Sequence, residues 1–418
     1  MATTNVQFAR KGADAPTKHQ PVARGAAQLL AAINDLAPEL ASRAAEIESA
    51  RRIPADIIDR LRQMGLFRTL VPRSHGGLEL DLPSALDIIA TVARIDGSLG
   101  WTVMIGSGAA IFAPLLPRET YDDIYRNGPD IATAGSTQPV GTAEATADGW
   151  RVNGRWPFAS GCLHADFMIG ICVVTKDGKP LSQSAAEIGA PATLGFILPA
   201  SDWQIEDSWR VAGLKGTGSH HIAIQDAIVP ATHTFDLVNG TPCQPGPLYD
   251  GLQQVIPLFQ SAVAVGIAEA ALDSIVAHAN TGRQQLRAAV PMRDSETFQG
   301  ELGKAAADVR AARAFFESQA ASHWRHALAG TLKTPALQAE VTQTAIWLTT
   351  TCIRAADACF ALGGGGVIYD SSPLQRHLRD LHVAGQHAGV HQRHYVSAGK
   401  MLLQGSNMAP AVLSRTAD

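Results

Sequence analysis

The hydrophobic and polar positions of this chain follow three successive patterns. Over residues 21–130, apolar residues recur at helical spacing, as in AAQLLAAINDLAPELASRAAEIE, and IPADIIDRLRQMGLF places Pro54 at a first turn and Gly65 near a helix end. Over residues 131–243, short alternating runs such as DFMIGICVV and HHIAIQDAIVP are bounded by Gly, Pro, Asp or Asn, which is typical of β-strands. The third region, residues 244–418, starts within the Pro- and Gly-rich segment TPCQPGPLYDG, and helical spacing returns after that segment.

These patterns predict a mainly α protein with a central β domain. We expect a flexible arm at residues 1–20, which hold no apolar run of the kind that a targeting segment needs. An N-terminal helical domain, the β domain and a bundle of four long helices then follow. The uncharged stretch 97–117 is long enough to span a bilayer, but its two prolines and many small residues favour a buried helix. We therefore expect no membrane contact.

Composition narrows the function classes. The 418 residues are 46% hydrophobic and 17% charged, so the chain can bury a large core. A net charge of -4 supplies no basic stripe for phosphates, which disfavours nucleic-acid binding. The five cysteines are odd in number and form no CxxC pair, so disulfides and structural zinc are disfavoured and we expect a cytoplasmic protein.

Four motifs occur in an informative order along nearly the whole chain. They are LVPRSHGGLELDLPSALDIIATVARIDGSLGW, GRWPFASG, SWRVAGLKGTGSHHIAIQDAIVP and ALGGGGVIYDSSPLQRHLRDLH. In this order they resemble the acyl-CoA dehydrogenase superfamily. The resemblance implies that superfamily's fold, with an N-terminal helical bundle, a small β-barrel-like sheet domain and a C-terminal four-helix bundle.

The catalytic glutamate of that superfamily is missing here. Ala388 stands where its carboxylate would fall, His387 replaces the preceding tyrosine, and no Asp or Glu follows Asp380 until Asp418. The other location known for such a base holds Ile256-Pro257. An acyl-CoA dehydrogenase or oxidase acting on a thioester is therefore the alternative and not the leading hypothesis, and a catalytically silent helical assembly protein is a third.

The residues resemble more closely the oxygen-using branch, the two-component flavin monooxygenases of phenols, phenolic steroids, indoles and dibenzothiophene. Phe158, Ser160 and Gly161 match its Phe-x-Ser-Gly segment, and His387 follows Arg379 by eight residues as in that branch. The resemblance implies a reduced-flavin-dependent monooxygenase. It would use a C4a-hydroperoxyflavin formed from O2 to oxygenate a small aromatic or heteroaromatic substrate.

Two side chains are the catalytic candidates. The Ser160 hydroxyl against flavin N5 would prolong the hydroperoxyflavin, and a neutral His387 imidazole would orient the substrate or accept its proton. The resemblance also suggests two further sets of residues. The candidate flavin contacts are Trp156, Phe158, Ser160, Arg283, Ser136 and Thr217, and the candidate pocket residues are Trp101, Phe259 and His391.

Several of these residues have an ordinary structural interpretation as well. Arg283 either meets the flavin phosphate across a subunit boundary or is a solvated helix-end arginine. Thr217 and Ser219 either hold flavin or satisfy a turn, and Trp101 either faces the pocket or packs in the core. The run GGGG at 363–366 lacks the spacing of a phosphate loop and indicates a backbone bend where a cofactor or a subunit approaches closely.

A cluster of histidines near the C-terminus raises the question of a metal. If the last helix continues, His387 and His391 share one face of it. That HxxxH spacing lacks a third ligand and the glutamate of HExxH, so we expect no metal site.

The sequence also indicates partners. No βαβ unit with GxGxxG is present, so NADH has no evident site and reduced flavin, either FMN or FAD, should come from a separate flavin reductase. Ala-rich helical faces such as GKAAADVRAARAFF pack closely and, in this superfamily, build a homotetramer.

Overall fold

The computed structural model of the protein describes residues 25–182 and 191–404, so the predicted arm at residues 1–20 lies outside the described residues. The helices are α1 (Ala26–Ser42), α2 (Ala44–Ala50), α3 (Ala55–Met64), α4 (Leu82–Ile95), α5 (Gly97–Gly106), α6 (Ala109–Phe112), α7 (Arg118–Ile124), α8 (Ile256–Asn280), α9 (Glu296–Leu328), α10 (Pro335–Gly363), α11 (Pro373–Ala384) and α12 (Tyr395–Leu403). The strands are β1 (Thr133–Thr146), β2 (Gly149–Ala159), β3 (Phe167–Lys176), β4 (Lys179–Pro180), β5 (Thr193–Pro199), β6 (Gln204–Glu206), β7 (His220–Val229) and β8 (Thr234–Phe235).

The order of these elements confirms the predicted fold class. Helices α1–α7 precede the sheet and α8–α12 follow it, so a mainly helical protein encloses one central sheet. The ends predicted for α3 are also confirmed, since the helix begins after Pro54 and ends at Gly65, whose φ is 91°. An L side chain rarely adopts that left-handed backbone, and glycine therefore ends the helix there.

The sheet is a single curved layer whose strand order is β6-β7-β2-β1-β3-β5-β8, with β4 paired to β3. Strands β1 and β3 run parallel, while the other paired strands are antiparallel. The register between β1 and β3 shifts around Pro139, which has no amide hydrogen for the ladder. Trp156, Phe196 and Trp203 fill the core beneath this sheet, the last two stacked with ring centroids 5.3 Å apart.

Helix α8 is the centre of the helical part and packs against α4, α5, α9, α10 and α11. Glycine permits two close approaches to α4. A Cβ at Gly266 of α8 would lie 2.2 Å from the Ala90 carbonyl oxygen of α4, and one at Gly100 of α5 would lie 2.4 Å from the Ala93 Cβ. Because α5 and α8 both pack closely on α4 at these glycines, their positions relative to one another are fixed.

Three helical segments are long and apolar enough, by length and composition alone, to cross a membrane: Gly97–Leu115, Leu252–Asn280 and Pro335–Val367. Within the protein, 94% of the apolar window of the first and 78% of the second are buried. The buried helical stretch predicted at 97–117 is thus present as α5, α6 and a short 3-10 turn. Half of the window in the third segment is buried, so this single chain leaves much of α10 uncovered.

The condition for a shared helical face, that the last helix continues through the histidines, is not met. Helix α11 ends at Ala384, and two short 3-10 turns at 388–390 and 392–394 lead into α12. His387 and His391 each have extended backbone and cap the turn that follows. They therefore do not share a helical face, which removes the geometry that the HxxxH spacing suggested.

Candidate active site

Trp101 lies at the centre of the candidate site. It belongs to α5, whose first amides at Ser98 and Leu99 donate to the carboxylate of Asp96 at 2.9 and 3.1 Å. The indole is only 7% exposed, yet its Nε1–H donates to Ser160 Oγ at 3.0 Å. Trp101 is therefore both a core residue and a direct partner of the predicted catalytic serine.

Ser160 sits just past the end of β2 in a tightly bent segment. Phe158 has φ 65°, an uncommon conformation for an aromatic residue, and the Ser160 amide donates to the Phe158 carbonyl at 2.9 Å. The next amide, that of Gly161, donates to the Thr217 carbonyl at 2.8 Å. The bend leaves the Phe158 ring 56% exposed while Ser160 is 5% exposed, so an aromatic face stands open beside a buried hydroxyl.

The segment after Leu214 supplies further hydroxyls to the same place. Ser219 Oγ lies 2.6 Å from Ser160 Oγ and 2.7 Å from Thr217 Oγ1, and Thr217 Oγ1 donates to the Leu214 carbonyl at 2.7 Å. Thr217 thus satisfies its own turn and reaches Ser160 only through Ser219. Thr217 is 2% exposed, and its role as a direct flavin contact stays a prediction.

Helix α11 anchors this segment from the other side. Asp380 accepts the Leu214 amide at 2.6 Å, and Arg379 binds both Glu48 and the Ala212 carbonyl. A Cβ at Gly213 would lie 2.2 Å from the Arg379 carbonyl oxygen, so the two backbones touch. The Arg-Asp pair singled out in the sequence therefore positions the loop that carries the hydroxyls.

His387 lies beside Trp101, with ring centroids 5.9 Å apart and an interplanar angle of 58°. Its Nδ1 accepts the Gly389 amide at 3.0 Å and contacts Gln260 Nε2 at 2.7 Å. A backbone N–H can only donate, so Nδ1 bears the lone pair and the neutral ring carries its hydrogen on Nε2. His387 therefore presents an N–H donor at its free edge, a role closer to orienting a substrate than to accepting its proton.

The protonation of His387 depends on its surroundings. His387 is exposed in the single chain, but the surrounding protein removes enough hydration to lower its pKa below the ordinary value. Burial is the cause of the shift, and no neighbouring charge contributes to it. The imidazole is consequently neutral at pH 7, and among the described residues no carboxylate lies close enough to replace the missing dehydrogenase base.

Gln260 is a site residue that sequence reasoning missed. It lies in the second turn of α8, is 9% exposed, and is one of few polar side chains among the apolar residues of that helix. A buried amide in such a helix requires a partner, and this was the available signal. Its contact with His387 fixes the orientation of the imidazole.

Three predicted residues lie elsewhere. Trp156 has no accessible surface and donates its Nε1–H to the Ile171 carbonyl at 2.8 Å inside the sheet core, so it cannot contact a cofactor. Phe259 is 2% exposed and packs in the helical core instead of a pocket. His391 faces solvent and its Nδ1 accepts the Arg393 amide at 3.1 Å, which places it outside the pocket.

Ser136 and Arg283 are the remaining candidate flavin contacts. Ser136 is buried in β1 and its Oγ accepts the Gln138 amide at 3.4 Å, and its flavin role stays a prediction. Arg283 is exposed, and its guanidinium packs within 2.4 Å of where a Cβ at Gly366 would stand. Within one chain, Arg283 is the group that approaches the glycine run, and the approach of a cofactor or a subunit there stays a prediction.

Arg283 is far from the other site residues within one chain. It follows the C-terminus of α8, whereas Gln260 lies near the N-terminus of that helix. Twenty residues of helix, from 260 to 280, rise by about 30 Å. Among the residues that the structure describes, the Arg283 side chain makes no recorded ion pair, so it is available to a group outside its own chain's site.

These features fit a flavin. Ser160 Oγ is a buried oxygen facing the bend, Phe158 offers an open aromatic face, and Arg283 is an unpaired cation next to glycine backbone. Over residues 25–182 and 191–404, no group of three or more His, Cys, Asp or Glu could hold a metal ion. A cavity of about 830 Å³ lined by Arg94, Glu269 and Arg313 lies on α4, α8 and α9, away from this site.

Known proteins share this architecture over most of their length. Residues 27–117 match the family described as "Acyl-CoA dehydrogenase, N-terminal domain", and residues 258–392 match "Acyl-CoA dehydrogenase, C-terminal domain". Indole-3-acetate monooxygenase of Pseudomonas putida is 33% identical over 89% of this chain and 92% of its own. The flavin-dependent monooxygenase oxygenase subunit HsaA of Rhodococcus jostii is 29% identical over 88% of this chain and 96% of its own.

A solved structure extends the likeness to three dimensions. XiaF from a Streptomyces species, in complex with FADH2 and glycerol, superposes with a TM-score of 0.83 at 25% identity and covers 91% of this chain and 96% of its own. The chain belongs to the acyl-CoA dehydrogenase superfamily, and within it to the flavin-dependent monooxygenases.

Proposed function

We propose that this protein is the oxygenase component of a two-component system and that it oxygenates a small aromatic or heteroaromatic compound. When bound, reduced flavin supplies two electrons to O2, so that one oxygen atom enters the substrate and the other leaves as water. The substrate C–H bond becomes C–OH, and the flavin leaves oxidised. The relatives named for indole-3-acetate and resorcinol support an indole or a phenol as the substrate.

One observation carries this proposal: Trp101 brings the Ser160 hydroxyl and the His387 imidazole to the same place, with no carboxylate beside them. A thioester dehydrogenase must remove an α-proton, which requires a base. A neutral imidazole with its hydrogen on Nε2 cannot serve as that base at its open edge. It can donate a hydrogen bond to oxygen, which suits oxygen transfer.

Ser160 and His387 have separate roles in the proposed reaction. Ser160 would accept the hydrogen of flavin N5, and Trp101 and Ser219 fix the hydroxyl by hydrogen bonds at 3.0 and 2.6 Å. His387 Nε2–H donates to substrate or oxygen, while Gln260 and Gly389 keep Nδ1 unprotonated. The burial of Ser160, Trp101 and Ser219 keeps water out of the site, which limits the loss of oxygen as peroxide.

Reduced flavin should arrive by diffusion from a separate reductase. The name "oxygenase subunit" of the HsaA relative supports such a partner, and this sequence offers no nicotinamide motif. All five cysteines are free in the structure, which supports work in a reducing compartment, the cytoplasm.

Assembly into a homotetramer is part of the proposal. Arg283 stands about 30 Å from the site of its own chain by helix length. Large apolar residues close to Arg283 in sequence, or close to Gly366 beside it, are exposed. Leu286 is 93% exposed, Ile368 62% and Tyr369 67%. Such a surface suits contact with a second copy, whose flavin phosphate Arg283 would bind.

A single-turnover experiment tests the function. The full-length protein is loaded anaerobically with photoreduced FMN or FAD and with indole-3-acetate or resorcinol as probes, then mixed with ¹⁸O₂. We expect a hydroxylated product that carries one ¹⁸O atom. The absence of labelled product with either probe, together with oxidation of octanoyl-CoA by an artificial acceptor, would overturn the proposal in favour of a dehydrogenase.

A further inference from the structure

A buried series of hydrogen bonds leads away from Ser160. Trp101 Nε1, Ser160 Oγ, Ser219 Oγ, Thr217 Oγ1 and the Leu214 carbonyl follow one another at 3.0, 2.6, 2.7 and 2.7 Å. The four side-chain members belong to residues that are at most 7% exposed. Water is therefore not a ready substitute for any of them, and each contact needs its own hydrogen.

The two ends of this series fix its direction. A carbonyl oxygen only accepts, so the single hydrogen of Thr217 Oγ1 points to Leu214. Ser219 must then supply the hydrogen between itself and Thr217, and Ser160 must supply the hydrogen between itself and Ser219. At the other end an indole N–H only donates, so Trp101 takes one lone pair of Ser160 Oγ.

Ser160 is left with one lone pair and no free hydrogen. Reduced flavin carries a hydrogen on N5, whereas N5 of oxidised flavin is a bare acceptor. We infer that Ser219 and Thr217 are positioning residues that commit Ser160 to accepting, so that the site selects reduced over oxidised flavin. This inference rests on the proposed function and adds a reason why spent flavin leaves.

The direction of this hydrogen-bond series explains the selectivity for reduced flavin without any charged group. With reduced flavin, the N5–H meets the free lone pair of Ser160. With oxidised flavin, two lone pairs face each other unless Ser160 turns its hydrogen away from Ser219 and breaks the series. One neutral hydrogen bond in a buried site changes an affinity by roughly 10- to 100-fold, so the dissociation constants should differ by about that ratio.

The test measures the ratio of dissociation constants for oxidised and reduced flavin, without turnover. Full-length protein is titrated with oxidised FMN and FAD, and anaerobically with their photoreduced forms. In Ser219→Ala the Ser160 hydrogen has no internal acceptor and can turn to N5. Oxidised flavin should then bind at least about tenfold more tightly than to wild type, because one hydrogen bond is gained.

Three further variants separate the direction of the hydrogen bonds from general damage to the site. Ser160→Ala should lower the ratio by weakening reduced-flavin binding, the opposite route from Ser219→Ala. Thr217→Val removes the end of the series and should shift the ratio as Ser219→Ala does, while the matched Thr217→Ser keeps a hydroxyl and should retain the wild-type ratio. A tenfold change also moves the two-electron potential of bound flavin by about 30 mV.

The outcomes distinguish this inference from the proposed function. If Ser219→Ala and Thr217→Val both keep the wild-type ratio within twofold, the inference is wrong although the protein still oxygenates. If Thr217→Ser shifts the ratio as much as Thr217→Val, the effect is one of packing and the inference is also wrong. If wild type binds neither oxidation state of flavin, the proposed function itself fails.

Discussion

The replacement of His387 by Gln, compared with its replacement by Ala, tests the role of the imidazole most directly. The amide nitrogen of Gln reaches close to the place of the imidazole Nε2 and donates a hydrogen there, but it cannot accept a proton at neutral pH. Alanine removes both abilities. The pair of variants therefore separates donation from base catalysis at one position.

The structure sets the expected magnitude. Two donors, the Gly389 amide at 3.0 Å and Gln260 Nε2 at 2.7 Å, hold Nδ1 and leave Nε2–H as the only active group of the ring. Loss of one hydrogen bond to an oxygen that gains negative charge costs about 2–3 kcal/mol, or roughly a hundredfold in rate. His387→Ala should lose about that factor in oxygen transfer, and His387→Gln should recover at least about tenfold of it.

The assay is a single turnover in which protein, reduced flavin and substrate are mixed with oxygenated buffer. Hydroxylated product and released peroxide are both quantified, since oxygen that is not transferred leaves as peroxide. The reasoning is refuted if His387→Gln is as inactive as His387→Ala, because only a base would then explain the loss. Full oxygen transfer by His387→Ala would remove His387 from the mechanism altogether.

The pH dependence provides a second check on the same residue. Burial lowers the pKa of His387 below its ordinary value of about 6.5, so the ring is neutral above that pH. Product yield should be constant between pH 7 and 9 and should fall only below about pH 6.5, as protonation of Nδ1 breaks its contact with Gly389. A yield that rises steadily from pH 7 to 9 would contradict this assignment.

Four further predictions follow from the site and its supports. Ser160→Ala should raise peroxide release at the expense of product, an effect of about 1–3 kcal/mol, and unchanged coupling would show that Ser160 does not face N5. Burial raises the pKa of Asp380 to about 7, so the folded state binds a proton that the unfolded state has released, and stability falls as the pH rises from about 4 to 7. Asp380→Asn should abolish that loss of stability, which is at most about 1.4 kcal/mol per pH unit. Urea unfolding at pH 5 and at pH 7 measures it. Arg283→Ala should weaken flavin binding several-fold while sedimentation still shows a tetramer, and a monomeric wild type at micromolar concentration would contradict the assembly. Ala388→Glu restores a carboxylate beside the imidazole and should lower product yield in the same single-turnover assay.

The sequence was informative about local structure and about which residues are chemically unusual. Pro54 and Gly65 mark the ends of α3 because each acts through its own backbone. The absence of a glutamate at Ala388 and the presence of Ser160 in Phe-x-Ser-Gly also require no tertiary contact to be recognised. The fold class followed from these local signals in their order along the chain.

Residue roles that depend on contacts across the chain could not be predicted in that way. Trp156 and Phe158 are two residues apart in β2, yet one is buried completely and the other is 56% exposed, because the backbone turns to φ 65° at Phe158. Phe259 and Gln260 are adjacent in α8, and only the amide reaches the site. Hydropathy describes a residue's preference for burial and not the direction in which its helix or strand presents it.

The sequence by itself determined the order of helical and sheet regions, the loss of the dehydrogenase base and the type of side chain available for oxygen chemistry. Tertiary structure alone decided that Trp101 binds Ser160, that Asp380 fixes the loop of Thr217 and Ser219, and that Gly389 sets the tautomer of His387. The physical reason is that a hydrogen bond depends on distance and direction between groups far apart in the chain. Residue identity states which groups can donate or accept, and only the packed fold determines which of them meet.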